Sequence, residues 1–377
     1  MNLNKRILIF SIAYYPIVGG AELAVRNITD RLLSCEFDLI SCRFNRHQPR
    51  QEKIGNVNVY RVGWGNRIGK YLYPLFAYRL ATKLHRQKEY QIVWAIMAAY
   101  ASGAAMLFLR KFPKVKFLLT LQEGDPVEHI HERVSWFRGA WQKVFRRADH
   151  IQAISKFLAD WAKQEGATCP VEVVPNGVDL RKYNPNLRIN PNVPNKSVII
   201  ITTSRLVHKN GIDILIRAAA ILKTRIPNFQ FQIRILGSGA DEEKLKSLAK
   251  ELGVSDRVEF LGHIEPDVLP KYYAEADIFV RPSRSEGLGN SFLEAMAAGL
   301  PIIGTRVGGI PDFLSEGETG LFCEVDDADD LAEKIQRLIA DEPLRQRLIA
   351  NGRRLVEETY DWGKIARQME NIFGRLL

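Results

Sequence analysis

Two glutamates, Glu286 and Glu294, flank a glycine-rich segment that leads from an apolar run into a short predicted helix. The run 277–280 is typical of a buried strand, and Gly299 with Pro301 just beyond it is typical of a helix end. A loop that brings a helix N-terminus to the end of a strand offers backbone N–H groups and a positive dipole to an anion. Carboxylates accept hydrogen bonds from sugar or ribose hydroxyls. The segment therefore predicts a site for a sugar nucleotide.

A simpler explanation exists for part of this segment. Ser291 followed three positions later by Glu294 is also a capping box, in which the glutamate only supports the start of its own helix. The longer string favours the site. It reads Glu-Gly-x-Gly, then Glu-Ala-Met-Ala-x-Gly-x-Pro, and continues to Val-Gly-Gly-Ile-Pro-Asp at 307–312. This string resembles the donor-site motif of the retaining glycosyltransferases of family 4, which have the GT-B fold, and its paired glutamates correspond to Glu286 and Glu294.

Length and composition bound the fold. The chain has 377 residues, of which 46% are apolar and 25% charged, so we expect a globular protein of two domains. Its 4 cysteines show no C-x-x-C motif and no spacing with histidine that would hold a metal, and we expect buried thiols in a reducing compartment. The N-terminus runs directly into the apolar segment 7–10, and we expect no signal peptide.

Residues 92–109 carry no charge and reach the lower limit of transmembrane length. The first half is strand-like, whereas the second half is alanine-rich and helical in character. We therefore prefer a buried strand followed by a packed helix over a membrane span.

Positive charge is concentrated in the N-terminal half. Residues 1–190 contain 29 basic and 15 acidic residues, a net charge of +14, whereas the remainder carries −4, which indicates an anionic partner for the first half. The stretches 64–90 and 133–147 interleave basic and aromatic residues, and helical spacing in the second groups Phe137, Trp141 and Val144 or Phe145 on one face. An anionic membrane surface and an ordinary core-packed helix both explain this pattern. No nucleic-acid-binding motif is present, and we expect no nucleic-acid partner.

Apolar runs that alternate with helix-like segments predict an α/β protein with mostly parallel sheets, in which ligands bind at the carboxyl ends of the strands. The predicted strands are 6–12, 37–42, 57–62, 91–96, 115–121, 150–154 and 172–174, then 197–203, 231–236, 258–261, 278–280, 301–304 and 321–323.

The resemblance implies two Rossmann-like, doubly wound domains with an interdomain cleft. We expect an acceptor-binding domain over 1–185, a nucleotide-sugar-binding domain over 186–359, and a last helix over 360–377 that crosses back to the N-terminal domain. The Pro- and Asn-rich run 184–195 is typical of a linker between them.

Polar and glycine residues follow two strands of the first half. Gly19 and Gly20 open a helix and offer backbone donors to a phosphate or sugar oxygen, in a loop that resembles the P-x-x-G-G-x-E loop of the family. Gln122 stands where the family usually has a histidine that touches the donor sugar; glutamine can hydrogen-bond a hydroxyl but cannot take a proton. The candidates for orienting the acceptor are Glu123, Asp125 and His129, for which a flexible polar loop is the alternative.

In the second half, the segment beginning at Arg205 resembles the family motif R-L-x-x-x-K-G, whose Arg and Lys clamp the nucleotide diphosphate. Arg205 matches, but the expected lysine position is Asn210, and Lys209 lies one residue earlier. Gly237 suits a close backbone approach to a ligand, and Ile264 lies where the family holds the nucleobase. By the resemblance, Glu294 holds the donor ribose and Glu286 the transferred sugar, and the remaining donor-binding residues are Gly287, Leu288, Gly289, Asn290 and Ser291.

The resemblance implies transfer of a hexosyl group, such as mannosyl, glucosyl or N-acetylhexosaminyl, from a UDP- or GDP-sugar to a hydroxyl of a glycan or lipid-linked acceptor. The anomeric configuration is retained, and the setting is cell-envelope or polysaccharide synthesis at the cytoplasmic face of the membrane. Arg205, Lys209 and Glu286 are the predicted catalytic residues, and we expect no metal and no cofactor. A non-catalytic nucleotide-sugar-binding or membrane-surface subunit is the alternative, and a sugar-nucleotide epimerase a weaker one. Gln122 and Asn210, which depart from the family motifs, favour the non-catalytic alternative.

Overall fold

A computed structural model describes residues 5–185 and 197–377 of the chain. Most of the predicted linker lies outside these described residues. By their contacts, the described residues of Met1–Glu123, Val127–Asn176 and Trp362–Leu377 form a first compact unit, and those of Gly124–Pro126 and Gly177–Asp361 form a second.

The first unit contains an eight-stranded sheet with the strand order β3-β4-β2-β1-β5-β6-β7-β8. The strands are β1 (Lys5–Phe10), β2 (Cys35–Cys42), β3 (Gln51–Ile54), β4 (Val57–Val62), β5 (Ile92–Ile96), β6 (Lys116–Leu121), β7 (His150–Ala153) and β8 (Val171–Val173). The helices between them are α1 (Gly20–Thr29), α2 (Arg67–Tyr71), α3 (Tyr73–Lys88), α4 (Tyr100–Lys111), α5 (Val127–Val134), α6 (Arg138–Arg147) and α7 (Lys156–Gln164). The central strands are continuously apolar because helices cover both faces of the sheet.

Strand β3 was missing from the sequence prediction. It pairs with β4 antiparallel, with Gln51 opposite Tyr60 and Ile54 opposite Val57, whereas the other strand pairs of this sheet are parallel. The segment reads Gln-Glu-Lys-Ile and lies at the edge of the sheet, where little of it is buried. It therefore carries no apolar alternation, and its pairing with β4 defines it.

The second unit contains a six-stranded parallel sheet with the order β11-β10-β9-β12-β13-β14. The strands are β9 (Val198–Thr203), β10 (Phe231–Leu236), β11 (Val258–Gly262), β12 (Ile278–Arg281), β13 (Ile302–Thr305) and β14 (Leu321–Cys323), and the helices are α8 (Ile212–Arg225), α9 (Glu242–Glu251), α10 (Leu269–Glu275), α11 (Asn290–Ala297), α12 (Ala328–Ala340) and α13 (Glu342–Thr359). The chain order reverses between the neighbours β9 and β12. Ligands of open α/β sheets bind at such switch points, outside the carboxyl ends of the strands.

The last helix, α14 (Trp362–Leu376), belongs to the first unit, although the whole second unit precedes it in the chain. Its apolar face is buried in the core that also contains α1 and the neighbouring strands. Phe373 makes the central contact, with ring centroids 5.4 Å from Trp94 and 6.3 Å from Phe37.

Residues 92–109 form β5 and most of α4, as predicted. Within residues 5–185 and 197–377, no helix combines the length and apolar character needed to cross a membrane. In α6 the side chains of Trp141, Val144 and Phe145 are buried. Phe137 instead belongs to a 3-10 turn before the helix, so its predicted place on the helical face was wrong. The expectation of buried cysteines holds for Cys35, Cys42 and Cys323, whereas Cys169 is only half-buried.

Candidate active site

The loops that follow β9 and β12 lie side by side at the switch point of the second unit. The backbone N–H of Arg284 donates to the carbonyl of Lys209 over 2.7 Å, which ties the two loops together. The Arg284 guanidinium donates to both carboxylate oxygens of Asp213, at 2.9 and 2.8 Å, and to the carbonyl of His208 at 2.6 Å. A fixed frame of backbone therefore holds the side chains that project from these loops.

Three cations meet on this frame: Arg205, Lys209 and Arg281. Burial, together with the positive charges of Arg205 and Arg281, lowers the pKa of the Lys209 ammonium. Lys209 donates to the carbonyl of Gly124 and pairs with the Asp125 carboxylate at 3.2 Å, in the short segment Gly124–Pro126 that clusters with the second unit. The Arg205 side chain is exposed. Because like charges repel, such a cluster favours an anion that neutralises it.

Arg281, the last residue of β12, was not singled out from the sequence. Its buried guanidinium donates to the hydroxyl of Ser291 at 2.6 Å and to the carbonyl of Thr203 at 3.4 Å, and it forms an ion pair with Glu286. Burial lowers the pKa of the guanidinium to about 10, so it stays charged at neutral pH. A cation at the end of an otherwise apolar strand was the signal that could have identified it.

Glu286 is held from two sides. Its carboxylate pairs with Arg281 and accepts the backbone N–H of Gly287 at 3.2 Å, while its carbonyl accepts the N–H of Gly309 at 3.2 Å. A Cβ at Gly308 would overlap that carbonyl, so glycine is required for the close approach of the segment after β13. The ion pair with Arg281 therefore holds the Glu286 carboxylate in place as a hydrogen-bond acceptor.

Glu294 lies on α11, but it does not cap that helix. The helix begins after Gly289, no side chain caps it, and Ser291 already lies inside its first turn. The capping-box explanation is therefore wrong. Instead, Tyr273 donates its hydroxyl to a Glu294 carboxylate oxygen at 3.1 Å, and Tyr183 also hydrogen-bonds this carboxylate.

The surroundings of Glu294 favour its protonated form. Burial raises the pKa of the carboxyl from 4.5 to about 7, against the opposing hydrogen bonds from Tyr273 and Tyr183 and the charge of Arg281. Tyr273 is itself fixed by a 2.7 Å hydrogen bond with the Thr203 hydroxyl. The two tyrosines, which no sequence motif indicates, thus orient a carboxyl whose pKa is raised to about 7.

The remaining candidates of the second unit surround this centre. Gly287, Leu288 and Gly289 are buried and Asn290 is half-buried, all at the start of α11. Gly237 follows β10, where a Cβ would overlap the carbonyl of Ser204. Ile264 is half-buried just beyond β11. The loops that carry these residues all follow the carboxyl ends of strands in the same sheet.

In the first unit, Gly19 is the N-cap residue of α1, and its N–H donates to the Glu22 carboxylate at 2.8 Å. Burial raises the pKa of Glu22. Gly20 is the first residue of the helix and is exposed. The structure therefore gives Glu22 a helix-capping role and leaves the start of α1 accessible.

Gln122 and Glu123 follow β6. The Gln122 amide oxygen accepts the Asn176 side-chain amide at 3.2 Å, and Glu123 accepts the backbone N–H groups of Ala98 at 2.7 Å and Gln122 at 2.9 Å. Glu123 thus braces two strand ends. His129 is exposed on α5. Over the described ranges 5–185 and 197–377, no group of three or more His, Cys, Asp and Glu residues is placed to hold a metal ion.

Comparison with known sequences assigns the family. The sequence profile described as "Glycosyl transferases group 1" matches residues 184–355, and that described as "Glycosyltransferase Family 4" matches residues 18–182. The D-inositol 3-phosphate glycosyltransferase of Arthrobacter sp. is 31% identical over 97% of this chain and 94% of its own length. The chain belongs to glycosyltransferase family 4. It is similar to a GDP-mannose-dependent alpha-(1-6)-phosphatidylinositol monomannoside mannosyltransferase of Mycolicibacterium smegmatis, with 30% identity over 66% of this chain and 69% of that one.

Solved structures confirm the GT-B fold of this family 4 glycosyltransferase. A sucrose-phosphate synthase from Thermosynechococcus elongatus superposes with a TM-score of 0.87 at 24% identity, covering 99% of both chains. The Anabaena protein HepE, solved in complex with UDP-glucose, gives a TM-score of 0.78 at 20% identity and covers 98% of this chain and 99% of its own. At this level of identity the likeness establishes the fold.

Proposed function

We propose that this family 4 glycosyltransferase moves a hexosyl group from a nucleotide-diphosphate sugar to a hydroxyl of a glycan or lipid-linked acceptor, with retention of configuration and without a metal ion. The observation that carries the proposal is the cluster of Arg205, Lys209 and Arg281 beside Glu286 at the switch point of the second unit. A diphosphate is the anion that such a cluster and the start of α11 would bind together.

The cations act on the leaving group. When the bond between the anomeric carbon and the phosphate oxygen breaks, negative charge develops on the nucleotide diphosphate. Arg205 and Lys209 would stabilise this charge from fixed positions, which is the work that a divalent cation performs in metal-dependent transferases. Burial lowers the pKa of the Lys209 ammonium against the charge of Asp125, and Arg205 and Arg281 lower it further, so a bound diphosphate would stabilise its charged form.

The two glutamates orient the donor. Glu294 would accept hydrogen bonds from the ribose hydroxyls, and Glu286 from hydroxyls of the transferred sugar. Glu286 is held in its ion pair with Arg281, and in this proposal it orients the donor without bonding to the anomeric carbon. The proposed mechanism therefore has no covalent enzyme intermediate. The acceptor oxygen bonds to the anomeric carbon on the face from which the phosphate departs, and its proton passes to the departing phosphate oxygen.

The known relatives support the class of donor. One relative is named as GDP-mannose-dependent, and HepE was solved with UDP-glucose, so a UDP- or GDP-sugar is the proposed donor. The relative that is named for phosphatidylinositol monomannoside supports a lipid-linked acceptor. The cytoplasmic face of a membrane is the proposed setting.

Thermal stabilisation by a panel of UDP-, GDP-, ADP- and dTDP-sugars, with and without EDTA, tests the donor site. We expect one nucleotide to raise the Tm selectively, in EDTA as well, and Glu294→Ala to abolish the effect. Glu243→Ala, which removes an exposed carboxylate of α9, is the control. A product of the opposite anomeric configuration would refute retention. Donor binding without hydrolysis or transfer would favour the non-catalytic alternative.

Association with an anionic membrane is a separate part of the proposal. Trp136 is 85% exposed in the 3-10 turn that precedes the basic helix α6. An exposed tryptophan beside basic residues suits the interface of an anionic bilayer. Trp136→Ser should weaken binding to phosphatidylglycerol vesicles, whereas Leu33→Ser, at another exposed apolar residue, should not. Equal binding of the two variants would contradict this part.

A further inference from the structure

A cavity lies wholly within the first unit, at the carboxyl end of β4. Its volume is about 520 Å³, within the range of pockets that hold small ligands. The walls are the start of β3, the end of β4 with the two residues after it, and one side of α3. The lining residues are Arg50, Gln51, Tyr60, Arg61, Val62, Gly63, Trp64, Phe76, Arg79, Leu80 and Lys83.

The lining contains four basic residues and no acidic one. Arg50, Arg79 and Lys83 are exposed, and within the described part of the chain none of their side chains pairs with a carboxylate. Like charges that share a concave surface repel one another, and low-dielectric walls concentrate their field. An anion that enters the cavity relieves this repulsion.

The fourth basic residue, Arg61, is built into the wall. It is 2% exposed, pairs with Glu52 at 2.5 Å, and donates to the carbonyls of Pro49 at 3.1 Å and Tyr15 at 2.5 Å. Its Nε is buried and has no hydrogen-bond partner among the described residues. Arg61 thus fixes a positive charge in the wall, beside the exposed Arg50, Arg79 and Lys83.

The same arginine connects the cavity with the loop after β1. Tyr15, whose carbonyl it binds, lies four residues before Gly19 at the start of α1. The cavity and that loop therefore occupy the same carboxyl edge of the sheet, where ligands of open α/β sheets bind.

Aromatic rings give the cavity an apolar wall. Trp64 and Phe76 pack edge to face with centroids 5.1 Å apart, and Trp64 remains half-exposed. Aromatic faces of this kind cover the apolar surface of a bound group while the cations beside them bind its charge. The cavity thus combines anion binding with a surface for a ring.

We propose that this cavity binds a phosphate- or diphosphate-bearing group of the acceptor. Rows of unpaired arginine and lysine suit phosphate oxygens, which accept several charge-assisted hydrogen bonds at once. The proposal rests on the proposed function only in identifying the ligand as the acceptor, which it places in the first unit. The anion site itself does not depend on it. The phosphate belongs either to a soluble sugar phosphate or to a lipid-linked one.

Inorganic pyrophosphate is the probe for this site, followed by ¹⁹F NMR of the full chain labelled with 5-fluorotryptophan. All 6 tryptophans belong to the first unit, and Trp64→Phe identifies the resonance of the residue in the cavity. The second unit contains no tryptophan, so pyrophosphate bound to its cationic cluster is not reported by a fluorotryptophan of that unit. We expect the Trp64 resonance to shift saturably with pyrophosphate.

Charge-removing variants on one helix provide the matched comparison. Arg79→Gln with Lys83→Gln should raise the midpoint of the Trp64 titration at least ~10-fold, the effect of losing one charge-assisted hydrogen bond or more. Arg86→Gln removes an exposed charge of α3 outside the cavity lining and should leave the midpoint within about twofold. No shift of Trp64, or equal midpoints in the two variants, would overturn the proposal.

Two further measurements separate the sources of the phosphate and the two proposals. Vesicles of phosphatidylglycerol that compete with pyrophosphate for the Trp64 site support a lipid-linked phosphate, whereas competition by a soluble hexose phosphate alone supports a soluble acceptor. A different result would refute the cavity in favour of a membrane-facing patch. In that case Arg86→Gln lowers vesicle binding as much as Arg79→Gln with Lys83→Gln does, and pyrophosphate does not shift the Trp64 resonance. If pyrophosphate shifts the Trp64 resonance but no nucleotide sugar raises the Tm of the protein, the proposed function is refuted and the anion site is supported.

Discussion

Replacing Glu294 by glutamine should make the stability of the protein less sensitive to pH. The pKa of this carboxyl is raised from 4.5 to about 7, chiefly because the group is buried. Glutamine keeps the size and the acceptor oxygen for Tyr273 but cannot ionise. The variant therefore isolates the free energy of ionising a carboxyl in this position.

The sign follows from proton binding. Between about pH 4.5 and 7 the folded state holds a proton that the unfolded state has released, so the free energy of unfolding falls as the pH rises. Above pH 7 the Glu294 carboxyl is ionised in both the folded and the unfolded state, and the full cost of burying its charge lowers the free energy of unfolding. Below pH 4.5 it is protonated in both states, and this cost is absent. One pKa unit corresponds to about 1.4 kcal/mol, so the raised pKa amounts to on the order of 3 kcal/mol.

The assay is the difference in Tm between Glu294→Gln and the wild type, measured from pH 4.5 to 8 without ligand. For a unit of this size 1 kcal/mol corresponds to about 2–4 °C, so the difference should grow in favour of the variant by roughly 6–12 °C across the range. The Tyr273→Phe variant removes a donor to the ionised carboxylate and should move the transition to higher pH. The exposed Glu243→Gln controls for the change of net charge.

A difference in Tm that is constant from pH 4.5 to 8 would refute the reasoning. Glu294 would then ionise as it does in the unfolded chain. The hydrogen bonds from Tyr273 and Tyr183 would offset the effect of burial on its pKa. Confirmation has a functional corollary. If the donor ribose binds the ionised carboxylate, donor affinity should rise through about pH 7 in the wild type and stay flat in the glutamine variant.

Three further predictions concern the same centre. Lys209→Met should lower kcat by about 10²–10³-fold, because one positive charge on the leaving diphosphate is lost, and an unchanged kcat in steady-state assays would exclude that role. Arg281→Met should cost about 3 kcal/mol in urea unfolding because the half-buried Glu286 carboxylate loses its ion-pair partner; an equal cost in a Glu286→Gln background would show that the two are uncoupled. Gly308→Ala should abolish donor stabilisation, whereas Gly253→Ala, with a similar positive φ but open space around its Cβ, should only lower the Tm. Similar losses at both glycines would contradict a specific clash at 308.

Strands of both sheets were predictable from the sequence where buried apolar residues set their pattern. β4, β10 and β14 have the predicted bounds: β4 and β10 alternate apolar with polar residues, and β14 is a short, buried apolar run. β3 escaped because an edge strand with polar residues carries its information in the pairing with β4. The periodicity of apolar residues in a sequence indicates which residues are buried. A strand with little buried surface shows no such periodicity.

The candidate site shows a similar division. Glu286 and Glu294 were identified because a motif of fixed spacing carries them. Tyr273 and Tyr183, the partners of Glu294, lie elsewhere along the chain and meet it only in the folded second unit. Arg281 ends β12 just before the loop of Glu286, but it lies outside the motif. The basic cavity was foreseen only as a charged stretch, because a sequence does not show which charges share one concave wall.

The return of α14 to the first unit bears on the order in which the chain folds during its synthesis. The second unit has all of its residues once Asp361 has left the ribosome, whereas the first must wait for Phe373 and its neighbours to fill the core around Trp94. From Asn176 to Leu377 is 201 residues, so at ~5–20 residues per second the first unit stays open for roughly 10–40 s after its main sheet has emerged. The half that is translated first is thus completed last. A released chain that is cut short before Trp362 would expose the apolar core of the first unit to chaperones, although its second unit has all of its residues.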